Sequence, residues 1–178
     1  ANRNNDLEQF CRNQNFMAMV YSFLADKNFN AEYYNKAITM NLDGAKKQLE
    51  INDFNGLAKT YHSLSSIYKD MGDYSSSLEY ANKSKNIVRE KDFTREVMTE
   101  SIMIEIELIR SKNLTNENLD KLYRTSKKLV DSFGHEVIVL NILYTCMGLI
   151  KILQKDYNKA IDILLKSRDI GQDLKCID

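Results

Sequence analysis

The sequence predicts an all-α fold, an α–α solenoid of about four helical hairpins, and three observations predict it. Apolar residues recur at helical spacing, beginning with Leu7, Phe10, Cys11, Met17, Ala18, Tyr21 and Leu24. No stretch alternates with a period of two, so no strand pattern competes. A short motif recurs: Tyr34-Asn35-Lys36-Ala37-Ile38, Asp73-Tyr74-Ser75-Ser76-Ser77-Leu78 and Asp156-Tyr157-Asn158-Lys159-Ala160-Ile161. Tyr34 and Tyr74 stand 40 residues apart and Tyr74 and Tyr157 stand 83 apart, which leaves room for a degenerate repeat near Leu114.

The elements follow in chain order. The first helix begins at about Asp6, and its apolar face runs to Leu24. Its partner carries Tyr34, Ala37 and Gly44, and ends at the turn signal Asn52-Asp53. The third helix shows Ala58, Tyr61, Leu64, Ser65 and Tyr68 on one face, and Met71-Gly72-Asp73 closes it. The fourth runs from Tyr74 toward a break at Asp92. Phe93-Thr94 reads as a helix start, with Thr94 as N-cap and Phe93 able to staple onto Met98. After Asn113 a helix displays Leu119, Leu122, Tyr123, Ser126, Val130 and Phe133, and Gly134-His135 ends it. Two further helices complete about eight, paired into hairpins over residues 6–52, 53–92, 93–134 and 135–178 of a single domain.

Small residues hold three fixed places in these hairpins. Nine positions before the anchor tyrosines stand Ala25, Ser65 and Gly148. Three positions after them stand Ala37, Ser77 and Ala160, and ten positions after stand Gly44, Ser84 and Ser167. Small side chains let two helix backbones approach closely, while larger neighbours fill the space around them.

These residues resemble the tetratricopeptide repeats. The second repeat carries Tyr61, Leu64-Ser65, Tyr68, Gly72-Asp73-Tyr74, Ser77 and Ser84 in that family's order, and the fourth carries Tyr144, Met147-Gly148, Asp156-Tyr157, Ala160 and Ser167. The first keeps Tyr21, Leu24-Ala25, Tyr34, Ala37 and Gly44, whereas in the third Glu105 and Glu117 occupy small-residue positions. The repeat-ending proline of the family is missing, and the period of about 40 is similar to that of repeats in bacterial regulators and signalling proteins. The resemblance implies a superhelix whose first helices line a concave groove that binds a protein or peptide ligand. By register that groove contains Ser22, Asp26, Lys59, His62, Ser66, Lys69, Thr145 and Leu149, with Ile102, Ile106 and Ile152 beside them. His62 and Ser66 stand where the family's carboxylate clamp would place its Lys and Asn, which argues against that clamp.

Composition bounds the function. Lys+Arg and Asp+Glu balance at 25 each, without the basic excess that phosphate neutralisation by a nucleic-acid binder demands. No apolar run approaches the roughly 20 residues of a membrane span, and no secretory leader pattern opens the chain. Three widely spaced cysteines, Cys11, Cys146 and Cys176, read as reduced thiols in a cytoplasmic protein. The two histidines, His62 and His135, lack neighbours at metal-ligand spacing. Glu105 and Glu107 lie two apart on a helix and point in different directions, and no phosphate loop or nucleophile elbow is present. The expectation is a non-enzyme without cofactor or metal. The sequence reads as the sensory or regulatory domain of a bacterial signalling or transcription-regulatory protein, part of a longer chain. The competing expectation is a structural self-association module, a homodimer through an uncapped end.

Overall fold

A computed structural model describes residues 2–28, 30–87, 93–110, 114–133 and 137–175; within them the side chains of 2–5, 8, 28, 93–96, 133, 138 and 173–175 are not described. The described residues form eight helices and no strands. Hairpin pairing divides them into two compact units, Ala1–Asp92 and Phe93–Asp178.

The first unit holds α1 (Asn2–Asn28), α2 (Ala31–Glu50), α3 (Phe54–Asp70) and α4 (Tyr74–Ile87). No glycine or proline interrupts the sequence from Asn2 to Asn28, and α1 accordingly starts before its apolar periodicity does. Side chains set the next three helix starts. Asn30 accepts from the Glu32 N–H at 2.9 Å, Asp53 from the Gly56 N–H at 2.8 Å, and Asp73 from the Ser76 N–H at 3.1 Å and its hydroxyl at 2.6 Å. The turns need left-handed backbone at Asn52 (φ 56°) and Gly72 (φ 80°), conformations that asparagine tolerates and glycine adopts freely.

α1 packs on α2 and α3 on α4, while α2 and, less extensively, α1 lie against α3. The small residues sit where the backbones meet. Ala25, Ala37, Ser65, Ser77 and Ser84 are each wholly buried. Ser77 donates to the Ser65 carbonyl at 2.7 Å, and Ser84 donates to the Ala58 carbonyl at 2.8 Å. Each hydroxyl thus fills a narrow space and satisfies itself on the facing helix, worth about 1 kcal/mol of net stability. Between the hairpins Ala18, Ala37 and Ile67 form a core closed by Tyr21, Tyr34, Ile38 and Met40.

The second unit holds α5 (Phe93–Arg110), α6 (Asn116–Phe133), α7 (Val137–Leu153) and α8 (Tyr157–Lys175). α5 already includes Phe93 and Thr94, so it starts before the N-cap read at Thr94; both side chains lie outside the described ones, and Gly134 and His135 lie outside the described residues. α7 packs against α5, α6 and α8. Ile104, Leu119, Leu122, Cys146 and Ile150 form one core, and Val97, Val139 and Leu143 another. Ser167 repeats the role of Ser84, donating to the Asn141 carbonyl at 3.0 Å. Gly148 leaves no room for more: a Cβ there would stand 2.4 Å from Leu164 Cδ2.

Two expectations are corrected here. Glu117, placed by register at a small position of the third repeat, does not occupy one. Glu117 is exposed, whereas Leu119 and Ser126 are buried at 2% and 0%. With a longer connection between α5 and α6 than the turn at residues 71–73, the register of α6 moves by two residues. Ile102 and Ile106, assigned to an open groove, are instead buried at 7% and 1%, as apolar side chains on a helix face generally are.

Candidate functional site: a polar cleft on the first helices of unit one

The sequence-derived groove residues of the first unit lie on two helices that touch each other. Ser22 and Asp26 belong to α1, and Lys59, His62, Ser66 and Lys69 to α3. Helical spacing puts the α3 set on one stripe, beside the Leu57–Thr60–Leu64–Ile67 face that is buried. Ser22, His62, Ser66 and Lys69 are half-buried, while Asp26 and Lys59 are exposed.

At one end of this surface, α1, α3 and the turn between α2 and α3 enclose a cleft of about 400 Å³. Arg12 and Asn15 line it from α1, Gln48 from the end of α2, Ile51, Asn52 and Asp53 from the turn, and Asn55, Gly56 and Lys59 from α3. Its wall is ordered by Thr60, which is wholly buried and shares its hydroxyl proton between Gln48 Oε1 at 2.8 Å and Asn15 Oδ1 at 3.1 Å. Anchoring both amide oxygens turns the two NH₂ groups away from Thr60. Gly56 lets both side chains close in at this point: a Cβ would stand 2.0 Å from Asp53 Oδ2 and 2.7 Å from Gln48 Nε2, and both would have to shift. Two cations, Arg12 and Lys59, face a single carboxylate, Asp53, which already caps α3. The cleft therefore offers chiefly hydrogen-bond donors.

Cys11 borders the cleft but is no nucleophile. It is 1% exposed, and its thiol pKa is raised, first by burial and next by the Asp53 carboxylate, so the neutral form persists. Its Sγ lies 3.7 Å from the Gly44 carbonyl. The other end of the surface is acidic. The Tyr34 hydroxyl donates to Asp26, and its pKa is pushed up to about 12 by burial, by that bond and by the charges of Asp26 and Asp70. Lys69 Nζ stands 3.9 Å from Asp70.

Thr145 and Leu149 belong to α7, in the other unit. Thr145 lies toward α8: its hydroxyl is 2.9 Å from the Asn141 carbonyl and 2.8 Å from Ser167 Oγ, which commits it to the hairpin's own contact. Leu149 is 44% exposed beside Ile152 and Leu153. Arg12, Asn15, Gln48 and Asn55 escaped the sequence reading. Polar residues on helices carry no periodic signal of their own, and only the approach of α1 to α3 brings Asn15 to Thr60 across 45 positions.

Among the described residues no three His, Cys, Asp or Glu side chains converge as metal ligands, and no helix is long and apolar enough to cross a membrane. Cys11 and Cys146 are buried, and Cys176 lies outside the described residues. Compared with known proteins, residues 58–87 match the family model of the tetratricopeptide repeat, a segment covering most of α3 and all of α4. No curated protein and no solved structure matches the chain.

Proposed function

We propose that this chain is a protein-interaction scaffold without catalytic activity, whose first unit receives an extended peptide or partner segment along α1 and α3. The observation that carries the reading is the donor-rich cleft on the same pair of helices as Ser22, Asp26, His62, Ser66 and Lys69. An extended ligand would set a carbonyl or carboxylate group against Lys59 and Asn15. Its other end would meet the Asp26–Tyr34–Asp70 corner, suited to a basic or hydroxyl group. The match of α3 and α4 to the tetratricopeptide repeat supports the same reading, because such repeats serve as interaction surfaces. The recurrence of the anchor tyrosine at 40 residues supports placing the chain in a signal-receiving, regulatory protein, with four hairpins making one repeat array.

The test is a displayed library of random peptides panned against the chain, followed by titration calorimetry of the selected peptides. Saturable binding should weaken at least about tenfold in Lys59→Ala, as for loss of a charged hydrogen bond. Lys127→Ala, an exposed control on α6, should leave binding unchanged. No saturable binding, or equal binding by both variants, would overturn the reading.

A further inference from the structure

A covalently labile pair lies in the wall of the cleft. Asn55-Gly56 is the chain's single Asn-Gly sequence, and both residues line the cleft from the first turn of α3. Asparagine is among the thermally labile residues, and a following glycine makes it more so, because no Cβ shields the glycine nitrogen. That nitrogen can lose its proton and attack Cγ of Asn55. The new N–Cγ bond closes a cyclic imide, the Cγ–Nδ2 bond breaks, and Nδ2 leaves with the proton as ammonia. Water then opens the ring at either carbonyl and leaves aspartate or isoaspartate. Water is the only reactant consumed.

The fold holds this chemistry back at the attacking nitrogen. The Gly56 N–H donates to Asp53 Oδ1 at 2.8 Å, so its proton is engaged, and the carboxylate opposes negative charge developing on the same nitrogen. Backbone adds a second restraint: the Leu57 N–H donates to the Asp53 carbonyl at 2.9 Å, which keeps Asn55 and Gly56 inside a closed helical turn. Asn55 itself is exposed, so its protection rests on the turn and not on burial. Cap and labile pair come together for one steric reason. A Cβ on residue 56 would stand 2.0 Å from Asp53 Oδ2, so the capped geometry favours glycine there.

We propose that Asn55 is a deamidation site guarded by the Asp53 cap, and that its aspartate product withdraws Lys59 from the cleft. An aspartate at this position lies in the first turn of α3, where the helix end favours negative charge. Lys59 is an exposed cation of the cleft, four residues further on. With the acid placed before the base, that is the spacing at which a carboxylate and an ammonium pair along a helix. Opening of one helical turn thus converts a cation-bearing cleft into one that pairs with itself. On the peptide reading this removes the group that meets the ligand's carboxylate; that reading supplies the consequence, whereas the chemistry stands without it.

Peptide mapping by mass spectrometry of the full chain, held in mildly alkaline buffer, follows ammonia loss at Asn55 directly. The folded chain should deamidate at least about tenfold more slowly than the same chain in urea, because only the open turn reacts. Asp53→Ala should speed the folded-state reaction about fivefold, the equivalent of one lost N-cap, and still fall short of the rate in urea. Asp53→Ser, which restores a capping oxygen, should stay near the wild type. In urea the three rates should converge. Equal folded-state rates for the wild type and Asp53→Ala overturn the guard, as does a folded wild type that reacts as fast as the unfolded chain. Nuclear magnetic resonance reads the pairing in Asn55→Asp: the Lys59 ammonium should titrate at higher pH than in the wild type, and an unchanged titration overturns the withdrawal of Lys59. Panning that yields no binder would overturn the peptide reading and leave these rates and this titration as they are.

Discussion

Gly56→Ala is the most informative single perturbation of the cleft, because one added carbon should undo two arrangements at once. The new Cβ would lie 2.0 Å from Asp53 Oδ2 and 2.7 Å from Asp53 Cγ and Gln48 Nε2. Relief requires the Asp53 carboxylate to leave the Gly56 N–H, at about 1 kcal/mol for a lost N-cap. Gln48 must also move, which strains its bond to the buried Thr60 hydroxyl at about 1–3 kcal/mol. Against this, alanine is favoured over glycine in a helix by about 1 kcal/mol. The net expectation is a destabilisation of about 1–3 kcal/mol, read as a lower urea midpoint by far-ultraviolet circular dichroism. The decisive comparison is the double variant. In Asp53→Ala the cap is already lost and the clashing oxygen gone, so adding Gly56→Ala should cost less by about 1 kcal/mol or more. Additive effects of the two substitutions, or a Gly56→Ala chain as stable as the wild type, would refute the steric reasoning.

Four further outcomes follow from the same geometry. Thr60→Val keeps the shape but removes the proton shared by Gln48 and Asn15, and should cost about 1–3 kcal/mol in urea unfolding while Thr60→Ser costs less. Lys155→Gly should stabilise by about 0.5–1 kcal/mol, because Lys155 holds φ 61° where the equivalent turn of the first unit has Gly72; Gly72→Ala should lose about 1 kcal/mol although its Cβ would touch nothing. Tyr34, with its folded pKa raised to about 12 above the usual tyrosine value near 10, binds its proton more tightly folded than unfolded. Its contribution is complete below about pH 10 and is lost as pH rises through about 12, so melting temperatures should fall across that window and fall less in Tyr34→Phe. Ser84→Val exchanges a hydroxyl satisfied on the Ala58 carbonyl for a bulkier group between two close helices, and thermal melts should show about 1–3 kcal/mol lost.

Hairpin architecture was legible in the sequence because it is set locally. Helical periodicity, turn signals such as Asn52-Asp53 and Met71-Gly72-Asp73, and small residues at fixed offsets from Tyr34, Tyr74 and Tyr157 all act within one or two helices. The serine columns could be assigned to helix contacts before any coordinates, and Ser77, Ser84 and Ser167 make those contacts. The third hairpin was misread at Glu117, which is exposed while Leu119, two residues on, is buried, because connection length is not encoded in periodicity. The cleft was not legible. Asn15, Gln48 and Thr60 are unremarkable polar residues until packing of α1 and α2 against α3 removes them from water, and only then must their hydrogen bonds be made with one another. The sequence by itself determined which segments are helices and how neighbours pair. Tertiary structure alone decided which polar groups are buried and which apolar faces remain in water, since both depend on what a helix far along the chain covers.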